Sequence, residues 1–377
     1  MQLECGHQFA VVLTNTEAPH QVLGQERVTN DLWRPAIECG RLEAARRDRR
    51  RPPQLPVGPG VIEPLWHETL KAPYLGGFRL TLPTEGAPCV QDFGTDYFGT
   101  VAQQLLEQLV AAKQVPADTA CGYVVCAFPR SAAAESPPAG RPRGWSAKPK
   151  AQTLALDELP LPSFLDRSAP HGAVPDDLVP VFIPERVLAE MAALHGRAGA
   201  AETGGNLIGY LHRDPARPET LFAEVTAQVP AQHAQQELTR LTFTPETWAD
   251  VDAAIRLRGR AERKLGWWHS HPARQWCEKC PAEKRQACPR GGDFFSVHDA
   301  ALHLAAYPMA YSVALVLSDS YAHGLAFTLF GWRQGRLARR GFHWLDGDGS
   351  LARLDRSPST LGEHPHERAC DFATESR

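Results

Sequence analysis

The run KLGWWHSHP, residues 264–272, restricts the fold more than any other stretch of the chain. Apolar residues lead into two histidines one position apart, and a proline closes the run. Side chains alternate across an extended strand, so the spacing predicts a strand with Trp267, His269 and His271 on one face. Trp268 and Ser270 take the other face. The two tryptophans are expected as core or cleft wall. Two imidazoles together at a strand end can grip a divalent ion. Taken alone, the pair equally fits surface or core histidines, because zinc takes at least three protein ligands.

The patterning on either side of this strand is dense. PERVLAEMAALHGRA (184–198) predicts a helix, with Pro184 near its first turn and apolar residues at three- and four-residue intervals. GGNLIGYLHR and TLFAEVTAQVPA predict strands. TPETWADVDAAIRLRG predicts a second helix, with Thr244 as N-cap and Gly259 as stop. After the histidines come a loop, the helix SVHDAALHLAA, the strand YSVALVLSD and two or three strands within GLAFTLFGWRQGRLARRGFHWL. Helices and strands mix irregularly, which predicts an α+β fold, a mixed β-sheet flanked by helices.

Upstream, FRLTLP predicts a strand, YFGTVAQQLLEQLVAAKQV a helix and GYVVCAFP a buried strand, so residues 59–130 are expected to form a small α/β domain. This domain carries no recognisable chemical constellation. A recruiting module and a packing extension are equally compatible with it. Residues 1–58 are polar and Arg-rich. Their charge run RLEAARRDRRRPP (41–53) has no interleaved aromatic residues and is expected to be solvated linker. A Pro/Ala-rich linker is expected over 131–177 and a polar tail over 347–377, leaving a second domain at 178–346.

A formal net charge of −3 gives no global pull toward nucleic acid. The longest apolar window is interrupted by Asp319 and His323, so no membrane partner is expected. The N-terminus lacks the basic, apolar and small-residue segments of a secretory signal. Nine cysteines, three of them in one short loop, fit metal binding in a reducing compartment better than a disulfide framework. Together these features predict a cytoplasmic protein.

Two further segments bear on the histidines. In FFSVHDAALHLAA, Ser296 stands where a helix begins and Asp299 three positions later, the spacing of a capping box. A carboxylate in that first turn is also well placed as a third metal ligand, and the two readings are compatible. In ETGGNLIGY, Glu202 precedes two glycines that open a strand, where backbone can approach a neighbouring site closely. A lone Glu at a strand entry is ordinarily solvated. It gains a role if a base is needed beside a metal.

Taken together, Glu202, HSHP and SVHD resemble the JAMM motif of the JAB/MPN metalloprotease family: a Glu, then H-x-H-P, then S-x-x-D. The resemblance covers roughly residues 178–346, including the order of helices and strands. It implies a JAB/MPN-like fold with His269, His271 and Asp299 as ligands of a catalytic Zn2+ and Glu202 as general base. Ser296 would steady the oxyanion. It further implies hydrolysis of the amide bond after the C-terminal glycine of a ubiquitin-like protein. Bacterial members of this kind suggest activating and conjugating enzymes as pathway partners.

The chain departs from the family between His271 and Ser296, where 24 residues replace a much shorter segment. This insertion holds Cys277, Cys280 and Cys288. CxxC with a third cysteine is a partial signature of structural zinc that lacks its fourth ligand. His298, His303, His323 and Cys370 are candidates without a ranking. Idle thiols or an iron–sulfur cluster are alternatives. A nucleobase deaminase would need H-x-E and P-C-x-x-C, and both halves fail here. A non-catalytic zinc-stabilised scaffold, or the same fold acting on a sulfur-carrier adduct, are the remaining rivals.

Overall fold

The computed structural model describes residues 3–68, 73–130, 152–232, 235–237, 240–285, 294–322 and 324–347. The chain is mixed α+β and divides into two compact units. Among the described residues, the first runs to Leu154 and includes Gln334–Arg336; the second comprises Ala155–Arg333 and residues 337–347.

The first unit contains, in chain order, strands β1 (Leu3–Cys5), β2 (His7–Asn15) and β3 (Val22–Arg27), helix α1 (Arg34–Arg47), and strands β4 (Gln54–Leu55), β5 (Gly60–His67), β6 (Tyr74–Leu82) and β7 (Cys89–Gly94). Helix α2 (Gly99–Ala111) and strands β8 (Cys121–Pro129) and β9 (Gln152–Thr153) complete it. Two principal sheets, β1-β5-β6-β7 and β3-β2-β8, enclose an aromatic core that includes Phe9, Trp33, Phe78, Phe93, Tyr97 and Phe98.

This corrects the expected division. Residues 3–47 are not a separate polar segment: β2 pairs along its whole length with β8, and Arg41–Arg47 close α1. The part of the charge run over 41–47 is helical, supported by Glu38 and Glu43, which sit one turn from Arg41, Arg46 and Arg47 and pair with them. Small buried residues, Ala36, Ala44 and Ala45, face inward beside Ile37 and Leu42. β8 differs from expectation too. It lies at a sheet edge with only one face buried, leaving Val124 and Phe128 exposed.

In the second unit, β10 (Asp157–Glu158), α3 (Pro162–Leu165), β11 (Ser168–His171) and β12 (Val181–Pro184) precede α4 (Glu185–Ala198). There follow β13 (Gly204–Arg213), β14 (Leu221–Pro230), the short hairpin β15 (Gln235–Glu237) and β16 (Arg240–Thr242), α5 (Pro245–Arg258) and β17 (Arg263–His271). α6 (Ala273–Trp276), α7 (Val297–Ala306), β18 (Val313–Ser320), β19 (Gly324–Arg333), β20 (Arg336–Arg340) and β21 (Phe342–Leu345) end the described chain. Residues 157–171 therefore hold secondary structure within this unit, where linker was expected.

One mixed sheet runs β11-β21-β12-β14-β13-β17-β18-β19-β20, with β10 pairing the end of β13. β17 lies inside it, antiparallel to β13 and parallel to β18, and is continuously buried from Leu265 to His271. Such a run fits a strand covered on both faces. On the Trp267 face, residues of α5 and α7 pack against Phe243, Tyr307 and Ala314. α4 covers the other face: its His195 reaches Asp319, which alternates with Ala314 along β18.

The helix boundaries follow local chemistry. Thr244 caps α5 by accepting from the Thr247 N–H at 3.4 Å, and Gly259 ends it at φ 61°, a left-handed conformation suited to glycine. Among the described residues no helix is long and apolar enough to cross a membrane.

Candidate metal centre

β17 aims both histidines the same way, as its alternation predicts. The Nε2 atoms of His269 and His271 lie 3.0 Å apart, and both residues are buried. α7 then delivers a carboxylate to the same point, with Asp299 Oδ2 3.6 Å from His269 Nε2. The three side chains offer one ligand atom each within 4.8 Å of one another, the sole such convergence of His, Cys, Asp and Glu among the described residues.

The capping box and the ligand reading hold together. Ser296 Oγ accepts from the Asp299 N–H at 3.1 Å, while Asp299 Oδ2 accepts from the Ser296 N–H at 2.8 Å. The cap fixes the carboxylate's orientation toward His269 and leaves further lone pairs available. Ser296 itself is half-buried, and its hydroxyl hydrogen is not consumed by the cap.

Glu202 enters from the neighbouring strand. Ser270 N–H donates to Thr203 O at 2.8 Å and Thr203 N–H donates to Ser270 Oγ at 3.2 Å. These bonds continue the β13–β17 pairing one step beyond Gly204 and His269, and bring Glu202 alongside the end of the histidine strand. Glu202 is only 5% exposed. Burial, reinforced by the Asp299 charge, pushes its carboxyl up to about 8. Of the glycines that follow, Gly205 serves a different contact. A Cβ there would lie 2.5 Å from Val229 O and 2.8 Å from Trp268 Nε1, so glycine is required by the approach of β14 and the opposite-face tryptophan.

The donor set fits a cation. Two neutral imidazole nitrogens 3.0 Å apart repel unless a proton or a cation lies between their lone pairs. Burial lowers the pKa of His269, which favours the neutral form that ligates metal. Two nitrogens and one carboxylate oxygen form a combination suited to zinc with an open position.

Aromatic side chains wall the site. Trp267 stacks on His269, with ring centroids 4.8 Å apart and planes at 16°. Trp276 and Phe294 flank His271 at 5.4 and 4.5 Å. The last two come from the insertion, so that segment lines the centre. Within it, the Cys280 N–H donates to Cys277 O at 3.0 Å, closing a turn over the CxxC spacing. Cys277 is buried and Cys280 half-buried. Cys288, His323 and Cys370 lie outside the described residues. Neither His298 nor His303 joins the two described cysteines: His298 is exposed, and His303 accepts a hydrogen bond from Trp267 instead.

The role of His303 was not recognised in the sequence, although it stands one helical turn beyond Asp299 on the same face of α7. The bond between the Tyr307 hydroxyl and Asn206 Oδ1 was missed as well. Both are long-range pairings with no local signature.

No protein-family model matches the chain. Over 108 residues it is 29% identical to a protein named probable metalloprotease y4qB from Sinorhizobium fredii, a match covering 28% of this chain and 62% of that protein. The matched region thus spans less than two thirds of that relative. Among solved structures, the solution structure of protein DSY2949 from Desulfitobacterium hafniense shares 19% identity. It covers 42% of this chain and 89% of that one at a TM-score of 0.28, too low to bear on the fold.

Proposed function

We propose that the chain is a metal-dependent amide hydrolase of the JAB/MPN type, a zinc (iso)peptidase acting after the C-terminal glycine of ubiquitin or a ubiquitin-like protein. The observation that carries the metal chemistry is the convergence of His269, His271 and Asp299 beside the buried carboxyl of Glu202. The probable metalloprotease from Sinorhizobium fredii supports metal-dependent hydrolysis as the reaction class. The ordered match of Glu202, HSHP and SVHD to the JAMM motif supports the finer assignment.

His269, His271 and Asp299 would hold the zinc. Bound there, the ion would supply Lewis acidity and would make water a stronger acid near neutral pH. Glu202 takes a proton from the attacking water and returns it to the leaving amine; a carboxyl raised close to neutrality is suited to both transfers. The Ser296 hydroxyl retains a hydrogen to donate to the carbonyl oxygen as charge develops on it. The rings of Trp276 and Phe294 pack beside His271 and would help to orient it.

Activating and conjugating enzymes of a ubiquitin-like pathway are proposed partners. A second, structural zinc at Cys277, Cys280 and Cys288 also belongs to the proposal, and Cys277→Ser is expected to lower zinc content by one ion per chain. The substrate is tested by incubating the protein with fluorescent-amine adducts of several ubiquitin-like proteins and of a sulfur-carrier protein. Release after the terminal glycine of a ubiquitin-like adduct supports the reading. Turnover of the sulfur-carrier adduct alone would move the substrate to that class.

A further inference from the structure

A metal-ligating histidine is normally oriented by a hydrogen bond from its second ring nitrogen to a carboxylate, carbonyl or water. His269 departs from that pattern. Its Nε2 faces His271 and Asp299, while its Nδ1 is buried without a hydrogen-bond partner among the described residues. Among the described residues, the ring's freedom about χ2 is limited by what packs against it.

The face of Trp267 lies against it. The two rings are stacked within 16° of parallel at 4.8 Å, a contact that fixes the imidazole plane. The indole is itself pinned. Its Nε1–H donates to His303 Nδ1 at 3.1 Å, and Phe243 meets it edge-on at 5.7 Å. Trp267 and His303 are both fully buried.

We infer that His303 is a positioning residue for the metal centre: by accepting the Trp267 indole N–H it locks the ring on which His269 is stacked, and so helps to fix the imidazole plane. His303 is adapted to this task in two ways. To accept at Nδ1 it must carry its proton on Nε2, and burial keeps the ring neutral so that Nδ1 retains its lone pair. It is also wedged between Tyr307 and Trp332, at 5.9 and 5.2 Å. The Trp332 Nε1–H donates to Tyr307 O at 2.8 Å, which ties α7 to β19 behind the site. The support for one ligand therefore extends through α7, the same helix that presents Asp299.

The inference rests on the zinc reading, and its test separates the two. Zinc affinity is measured by competition with a chromophoric chelator, and ligand geometry from the visible spectrum of the Co2+-loaded protein. Native protein and His269→Ala come first. Uptake by the native chain that His269→Ala abolishes upholds the centre; no such uptake would remove the centre and this inference with it. His303→Phe keeps an aromatic ring but has no acceptor. It is expected to bind zinc about tenfold more weakly or worse and to shift the Co2+ bands. His303→Gln, whose amide oxygen can accept the indole N–H, is expected to recover most of that affinity. Native affinity and a native spectrum in His303→Phe would overturn the inference. Should that variant not fold, Trp267→Phe keeps the stacking face but removes the pinned N–H, and is read against the same two outcomes.

Discussion

Without a cation beside it, burial and the Asp299 carboxylate raise the Glu202 carboxyl to about 8, far above a solvated glutamate; the charge of a bound cation would lower it and favour the carboxylate that acts as base. A single-atom change isolates this group: Glu202→Gln is expected to cut turnover by about a thousandfold while zinc content stays native, as measured by amine release and metal analysis. His303 offers a second test through pH. Burial lowers its folded-state pKa to about 3, against ~6.5 unfolded, so the unfolded chain binds the extra proton between those values. Stability is then lost as pH falls below ~6.5, by about 2 kcal/mol from this group by pH 5. Denaturant unfolding of His303→Gln should show a shallower acid loss than the native chain. At this scale the shared face of His269 and His271 was legible because side chains alternate along a strand, whereas their reading as ligands came from the resemblance of the whole motif. The sequence disclosed nothing of the Trp267–His303 bond, which joins residues 36 apart in sequence on two elements that must dock first.

At the start of α7 the Asp299 carboxylate closes the cap and faces His269, and conservative substitutions can separate the cap from the proposed ligand role. Asp299→Asn keeps an oxygen that can accept the Ser296 N–H but loses the anionic ligand. Helix stability should change little, and zinc affinity should fall at least tenfold by chelator competition. Ser296→Ala removes the side-chain acceptor of the cap, costing about 1 kcal/mol in thermal unfolding. If Ser296 also steadies the oxyanion, turnover drops by more than that destabilisation explains. Elements with strong local signals matched their expected spans closely: α4, α5 with its Thr244 cap, β17, and α7. Those that failed were legible only through pairing. β2 is fixed by β8, more than a hundred residues away, and α1 hides an Ala-rich buried face beneath a charge run.

The whole chain comprises two compact units, and every residue of the candidate centre belongs to the second. Metal removal should therefore act on one unit. Chelation is expected to raise amide exchange in β17 and α7, while exchange in β2 and β8 of the first unit is unchanged; hydrogen exchange resolved by segment measures this. Zinc at a hundred times its Kd would stabilise the second unit by about 2.7 kcal/mol. The resemblance to JAB/MPN proteins extends over part of this chain, and the aromatic core of the first unit presents no comparable constellation.

The central claim is metal-assisted amide hydrolysis with Glu202 as base. The most direct measurement is amine release from the C-terminal glycine of a ubiquitin-like protein by native and Glu202→Gln chains, each loaded with one equivalent of zinc. The expected result is turnover by the native chain and near-complete loss in Glu202→Gln, with zinc retained and the fold intact by circular dichroism. Equal turnover by the two proteins would contradict the mechanism.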